Sequence, residues 1–273
     1  MNGGRSRKRR AIAQTIKVRR DRRVAEMFEL AIADVGALAK AVSVVAELVG
    51  DANFSVGPEG LSMQAMDSSH VCLVALDIEP RYFESFVASR PSVFGIKLGV
   101  LKKVLECCSG KTSLAREEED SIVASSEHAR FSIKLLDIDS ESVNPSSLGE
   151  QDVLASIDAA AFLRIVRDLA SFGDVVELTA AAGDDGDAGF EMTASGDIGE
   201  ARMRVSTKSI SVRNPARGGF SVRYLATFAK AASVASEAAL RFSDRGVLSI
   251  EYAFGDGAKL SFYIAPKIDD EDE

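Results

Sequence analysis

Four times along the chain a short apolar strand runs into an amphipathic helix, and this repetition limits the folds open to it. Strands are expected near Phe28, Phe94, Val153 and Phe220, each followed by a helix of about ten to fifteen residues. The helical stripes are Leu38, Val42, Val45, Val49; Leu101, Val104, Leu105, Cys108; Phe162, Ile165, Val166, Leu169; and Leu225, Phe228, Ala229, Ala232. Each has the three-and-four spacing that lays one apolar face on a sheet. Between them, residues 57–75, 111–137, 175–206 and 238–264 are strand-rich. The pattern predicts an α+β architecture with helices on one face of mainly antiparallel sheets. Because the units recur in pairs, the chain reads as two similar domains, each holding two of them.

Charge adds a second regularity. Residues 1–26 carry ten basic side chains against Asp21 and Glu26, so a net charge of −8 divides into a +8 arm and a −16 body. An acidic body repels DNA unless its few cations share one surface. Lys40 stands two residues after Leu38, Lys103 two after Leu101, Arg164 two after Phe162 and Lys230 two after Phe228. Two helical residues turn through about 200°, which points each cation away from the sheet-facing stripe. Arg167 shares the face of Arg164, and Lys102 adjoins Lys103. Lys40 and Arg164 are 124 residues apart, Lys103 and Lys230 127, as a duplicated body requires. Helices ordinarily put charge on their wet face, but in an acidic body Glu would serve solubility equally well. Glu47 and Glu106 interrupt the pattern.

Other classes of function find little support. No apolar run approaches the roughly 18 residues of a membrane-spanning helix. The cysteines Cys72, Cys107 and Cys108 fit a reducing compartment and form no Cys-x-x-Cys pair. With only His70 and His128 to join them, no zinc site is expected, and no other metal or cofactor. Neither a nucleophilic triad nor a glycine-rich phosphate loop is visible, so the chain reads as a binding protein rather than an enzyme. The cluster Arg5, Arg7, Lys8, Arg9, Arg10 is a candidate nuclear-localisation or phosphate-contacting segment, against the simpler reading of a solvated basic arm.

One hairpin is distinctive. Leu61, Met63 and Ala65 alternate with polar residues, Asp67-Ser68-Ser69 forms a polar turn, and Val71, Leu73 and Ala75 resume the alternation. The short turn side chains can bond their own backbone, leaving His70 beside Met66 and Val71. On periodicity alone this is a packed hairpin. The run Gln64-Ala65-Met66-Asp67-Ser68-Ser69-His70-Val71, however, resembles the signature of the proliferating cell nuclear antigen family of DNA sliding clamps. Met27-Phe28-Glu29, Arg164-Ile165-Val166-Arg167-Asp168-Leu169 and Ala265-Pro266-Lys267-Ile268 match it in the same order, over residues 27–273.

The resemblance implies a homotrimeric ring around duplex DNA, acting in the nucleus as a processivity factor for replicative polymerase. It also implies docking of the clamp loader, flap endonuclease, DNA ligase and other partners. Domain limits follow: a basic extension over 1–26, a clamp domain over 27–134, a connector over 135–151, a second clamp domain over 152–268 and an acidic tail over 269–273. Lys40, Lys102, Lys103, Arg164, Arg167 and Lys230 would line the hole and contact phosphates without reading bases. A hole of roughly 110 Å circumference, lined by helices about 10 Å wide, needs about eleven of them, which at four per chain means three chains. Edge strands would close the ring through Phe131 and Ile133 on one side and Met203 and Val205 on the other. On the outer surface, Met66, His70, Val71, Leu73, Val143, Pro145, Val247, Tyr263, Ala265, Pro266, Lys267 and Ile268 would form the groove for a clamp-binding peptide.

Departures from the family pattern mark what is particular here. Ala39, Ala46, Glu106 and Ser171 occupy positions that are often basic, and Ala180-Ala181-Ala182 stands where the family's ubiquitin-accepting lysine is expected. The stretch Arg213 to Gly219 is basic where the matching loop is usually longer and acidic. A checkpoint-type or viral processivity clamp of the same fold is the alternative reading. A scaffold that binds nucleic acid through its basic arm is another.

Overall fold

A computed structural model describes residues 28–88, 90–139, 151–182 and 188–267. The basic arm, Met27, Val143 and Pro145 of the connector, the acidic run Asp184 to Asp187, Ile268 and the acidic tail lie outside the described residues. The first half runs β1 (Phe28–Ile32), α1 (Gly36–Val45), β2 (Asp51–Gly57), β3 (Gly60–Met66), β4 (Cys72–Ile78), β5 (Ser85–Ala88), β6 (Ser92–Lys97), α2 (Leu98–Cys107), β7 (Thr112–Glu118), β8 (Ser121–Ser126) and β9 (Arg130–Lys134). The second repeats the order: β10 (Val153–Asp158), α3 (Ala159–Leu169), β11 (Val175–Ala182), β12 (Ala188–Gly196), β13 (Gly199–Arg204), β14 (Thr207–Val212), β15 (Ala216–Ser221), α4 (Val222–Ala229), β16 (Glu237–Phe242), β17 (Leu248–Phe254) and β18 (Ala258–Ile264). Each strand of the first half has its counterpart nine strands later.

Sheet order shows how the copies join. A five-stranded sheet, β5-β1-β7-β8-β9, belongs to the first half, and a four-stranded sheet, β13-β12-β11-β15, to the second. The remaining strands form one nine-stranded sheet, β14-β10-β16-β17-β18-β4-β3-β2-β6. This is the five-stranded unit of the second half fused to the four-stranded unit of the first through antiparallel pairing of β18 with β4, from Ala258–Ile78 to Ile264–Cys72. One continuous sheet therefore spans both halves.

The helices sit where the apolar stripes require. On α3, Phe162, Val166 and Leu169 are fully buried while Arg164 and Arg167 are exposed. Its first turn is capped by Asp158, which accepts the Ala161 amide at 2.8 Å. α1 packs beside α2 and α3 beside α4, and the 3-10 turn after α4, Lys230–Ser233, meets α1. The four helices thus form one row along the sheets, bridged at the middle. In the central strands, Leu260, Phe262 and Ile264 of β18 and Val74 and Leu76 of β4 are fully buried beneath that row.

The structure differs from expectation in three places. The fourth helix has eight residues, because the chain tightens into the 3-10 turn at Lys230. Val49 and Cys108 are buried but lie just beyond α1 and α2. Residues 216–219 belong to β15, so the turn after β14 is confined to residues 213–215; pairing with β11 draws the glycines into the sheet.

Candidate nucleic-acid interface and partner groove

Lys40, Lys103, Arg164, Arg167 and Lys230 are all exposed, and Lys102 is half-buried. Because the helices stand in one row, their outward faces make a single surface, and the first four of these cations fall on it from α1, α2 and α3. Lys102 lies 4.0 Å from Glu106, one turn on, and Arg167 lies 3.7 Å from Asp168. Lys230 sits off the helix, in the 3-10 turn, and is ion-paired with Glu47 of the other half.

The spacing that matched Lys103 with Lys230 is corrected by the strand ends. α2 starts directly after Lys97 and α4 directly after Ser221, an offset of 124 residues rather than 127. Counted this way the counterpart of Lys103 is Thr227, and that of Lys230 is Glu106. Arg223, which the sequence reading missed, is exposed on the first turn of α4, seven residues before Lys230 and so on nearly the same face. A count of seven back from Lys230 would have found it.

The groove residues gather where the halves meet. In the β4–β18 register Leu73 faces Tyr263, and Met66 of β3 faces Leu73 from the other side. Tyr263 in turn faces Ser249 of β17. These side chains point away from the helices, since their neighbours Cys72, Phe262 and Ile264 are the ones buried beneath the sheet. Leu73 is buried, Met66, Val247, Tyr263 and Pro266 are half-buried, and His70, Val71, Ala265 and Lys267 are exposed. The Ala265 amide donates to the Val71 carbonyl at 3.1 Å, and the Lys267 amide to that of Gly219 at 2.8 Å. Residues of the signature turn and the C-terminal strand thereby line one surface.

Beside them the turn itself is unusually well held. Asp67, 6% exposed, accepts the Val71 and Cys72 amides at 2.9 and 2.7 Å on one oxygen, and the Ser69 amide at 3.1 Å on the other. That second oxygen also accepts the Tyr224 hydroxyl of α4 at 2.7 Å. Burial opposes ionisation of Asp67, but the bonds from Tyr224 and from the Cys72, Ser69 and Val71 amides outweigh it and hold the carboxyl below its ordinary value. Cys72, desolvated and beside Asp67, has its thiol pushed up to about 12 and stays neutral.

At the far ends of the row lie two strands that, among the described residues, are sheet edges. Arg130 to Lys134 is β9, an edge strand, with Phe131 half-buried and Ile133 buried in the chain's own core. β13 is the edge of the four-stranded sheet and carries half-buried Met203, while Val205 lies just past it and is buried. A cavity of about 390 Å³ opens between α3 and this edge, lined among others by Ala161, Arg164, Asp168, Met203 and Val205. Among the described residues no cluster of His, Cys, Asp or Glu could hold a metal, and no helix is long and apolar enough to cross a membrane.

Comparison with known proteins places this geometry. Residues 27–143 match the model of the proliferating cell nuclear antigen N-terminal domain, and residues 149–267 that of the C-terminal domain. The chain is 32% identical over 268 residues to proliferating cell nuclear antigen of Caenorhabditis elegans, covering 90% of this chain and 99% of the relative. It is 30% identical over 251 residues to a probable DNA polymerase sliding clamp of Paramecium bursaria Chlorella virus 1, covering 90% and 93%. The crystal structure of proliferating cellular nuclear antigen from Entamoeba histolytica superimposes with a TM-score of 0.81 at 27% identity, covering 88% of this chain and 99% of that one. With two domain models in tandem, a shared fold and relatives aligned over nearly their whole length, the chain belongs to the proliferating cell nuclear antigen family.

Proposed function

We propose that the chain is a DNA sliding clamp, a non-catalytic ring that encircles duplex DNA and tethers replication and repair proteins to it. One observation carries the ring. Inside the chain, β18 of the second half pairs with β4 of the first. Nine strands back from β18 is β9, and nine strands on from β4 is β13, and both are free edges. Pairing β9 of one chain with β13 of the next would build a second nine-stranded sheet in the order β5-β1-β7-β8-β9-β13-β12-β11-β15, equivalent to the one within the chain. At the internal join α4 and its following turn meet α1 and the turn before β4. The corresponding place beside α3 and β13 is the 390 Å³ cavity, shaped to receive α2 of a neighbour. Repetition of a single contact closes a ring, and three copies supply twelve helices, enough for the roughly eleven that a duplex-sized hole needs.

The row of helices then faces DNA. Lys40, Lys103, Arg164 and Arg167, with Arg223, contact phosphates only, which permits sliding and makes the contact sensitive to salt. On the outer surface, Met66, Leu73 and Tyr263 give an apolar floor for the anchors of a clamp-binding peptide, with exposed Val71 and Ala265 beside it. Val143, Pro145 and Ile268 complete this set by family resemblance. Replicative polymerase, clamp loader, flap endonuclease and ligase are the partners that such a groove serves, in the nucleus.

The test is the mass of the protein by light scattering over a concentration series, followed by retention on circular and linearised DNA. A mass three times the chain's 29.1 kDa, with the protein held on circles and lost from linear ends, is expected. A monomer at every concentration would overturn the ring.

A further inference from the structure

We propose that Tyr224 is a positioning residue for the partner groove, acting from the DNA-facing helix row through Asp67 on the signature turn. The inference rests on the groove reading above and adds to it a residue that lies outside the groove.

The turn between β3 and β4 contains no glycine, yet His70 adopts a left-handed backbone with φ 56°. A non-glycine residue rarely takes that conformation, and it persists only where surrounding bonds over-determine it. Here the bonds converge on Asp67. Its carboxylate gathers the amides of Ser69, Val71 and Cys72, its own carbonyl accepts the His70 amide at 3.0 Å, and its amide donates to the Cys72 carbonyl at 2.9 Å. Those contacts are local to the turn. Among the described residues, the hydrogen bond that ties the carboxylate to the other half of the chain is the one from the Tyr224 hydroxyl, 157 residues away.

The consequence reaches the groove directly. With Asp67 fixed, the Val71 carbonyl is aimed at the Ala265 amide, 3.1 Å away, and this contact extends the β4–β18 ladder by one step beyond Cys72 and Ile264. Val71 and Ala265 are the exposed residues on either side of that step, adjoining Leu73 and Tyr263. Rotation of the Asp67 side chain would release the Val71 and Cys72 amides together. His70 would relax from its left-handed state, and the edge of the groove would lose its fixed spacing. Tyr224 is suited to the task because its ring is held by tilted contact with Phe228, which itself stacks on Phe262 of β18. A phenol donating to a buried carboxylate is a charge-assisted bond, stronger than a neutral one.

The experiment uses the full chain and the Tyr224→Phe variant, which keeps the ring contacts and removes only the hydroxyl. In the free protein, hydrogen exchange at the Val71 and Cys72 amides is expected to quicken about tenfold, with amides of β10 and β16 unchanged. Affinity for a labelled clamp-binding peptide from a flap endonuclease is expected to weaken about tenfold. Asp67→Ala should weaken it at least as much, and the double variant should be no worse than Asp67→Ala alone. Unchanged exchange at the turn, or additive losses in the double variant, would overturn the proposal. Tyr263→Ala separates the two readings. If it abolishes peptide binding while Tyr224→Phe has no effect, the groove stands and the positioning role falls. If Tyr263→Ala has no effect, the groove assignment itself is wrong, and the exchange measurement still decides whether Tyr224 holds the turn.

Discussion

Lys230, in the turn that follows α4, is ion-paired with Glu47, two residues beyond the end of α1. The pair joins the two halves on the helix side of the sheet, as Tyr224 and Asp67 join them near the groove. It also means that one cation the sequence offered to DNA already has a carboxylate partner. Lys40, Lys103 and Arg164 are exposed and, among the described residues, make no such bridge between halves.

Because both members are 39–50% exposed, the pair is worth no more than about 1 kcal/mol. Glu47→Gln is therefore expected to lower the melting temperature by at most about 4 °C. It should also free Lys230 for phosphate and steepen the dependence of DNA affinity on salt by about one counterion for each subunit whose Lys230 reaches the duplex. Titrations at several salt concentrations check this. An unaltered slope would mean that Lys230 does not reach the duplex.

Replacing Lys40, Lys103 or Arg164 singly by Ala should flatten the same plot by about 0.9 for every substituted side chain that contacts phosphate, of which a trimer has up to three. Trimer mass should be unaffected, and the loss should be the same on duplexes of different sequence, because phosphate contacts carry no base information. A loss that depended on sequence would contradict sliding.

Gly95 on β6 carries the start of the connector. Leu136 donates its amide to the Gly95 carbonyl at 2.8 Å, and a Cβ at position 95 would stand 2.6 Å from the Leu136 carbonyl oxygen and 2.7 Å from the Ile138 side chain. No Cβ fits at that distance unless the facing backbone moves, so Gly95→Val should lift Leu136 and Ile138 and break the bond from the Asn53 side chain to the Ile138 carbonyl. Peptide affinity is expected to fall with trimer mass retained. Hydrogen exchange at Leu136 reports the displacement.

The Asp67 carboxyl is held below its ordinary 3.8 in the folded state. A depressed carboxylate contributes stability above its unfolded value and loses it as pH falls through the folded one. Order in the turn should therefore be constant through the neutral range and decline only below about pH 4. Exchange at the Val71 amide between pH 6 and pH 3 measures it. Asp67→Asn should abolish the acid step.

Most of the repeated architecture was legible because its causes are local. The stripes Phe162, Val166, Leu169 and Leu225, Phe228, Ala229 mark buried helix faces without knowledge of their partners, and the alternation around Leu61 to Ala75 marks the hairpin. The misplacement of Lys230 shows the limit of that reading. Matching stripes by their apolar residues put it level with Lys103, whereas the starts of α2 and α4 set the level three residues apart. Arg223 escaped notice because no apolar stripe pointed to it. The family resemblance made the strands around Phe131 and Met203 the ring-closing edges and alternation picked out Ile133 and Val205 on them, yet the packing of the single chain already buries both, which leaves the backbone of β9 and β13 with Phe131 and Met203 for the proposed join.

The sequence by itself determined the two-fold repeat, the cationic outer faces of the helices and the polar turn at Asp67, since periodicity and turn chemistry act over a few residues. Only the tertiary structure decided that β18 joins β4, that Glu47 meets Lys230, and that the Tyr224 hydroxyl holds Asp67. Those contacts link residues between 157 and 192 positions apart. No local pattern encodes them, because they arise when two copies of one unit pack edge to edge and bring distant side chains within hydrogen-bonding range.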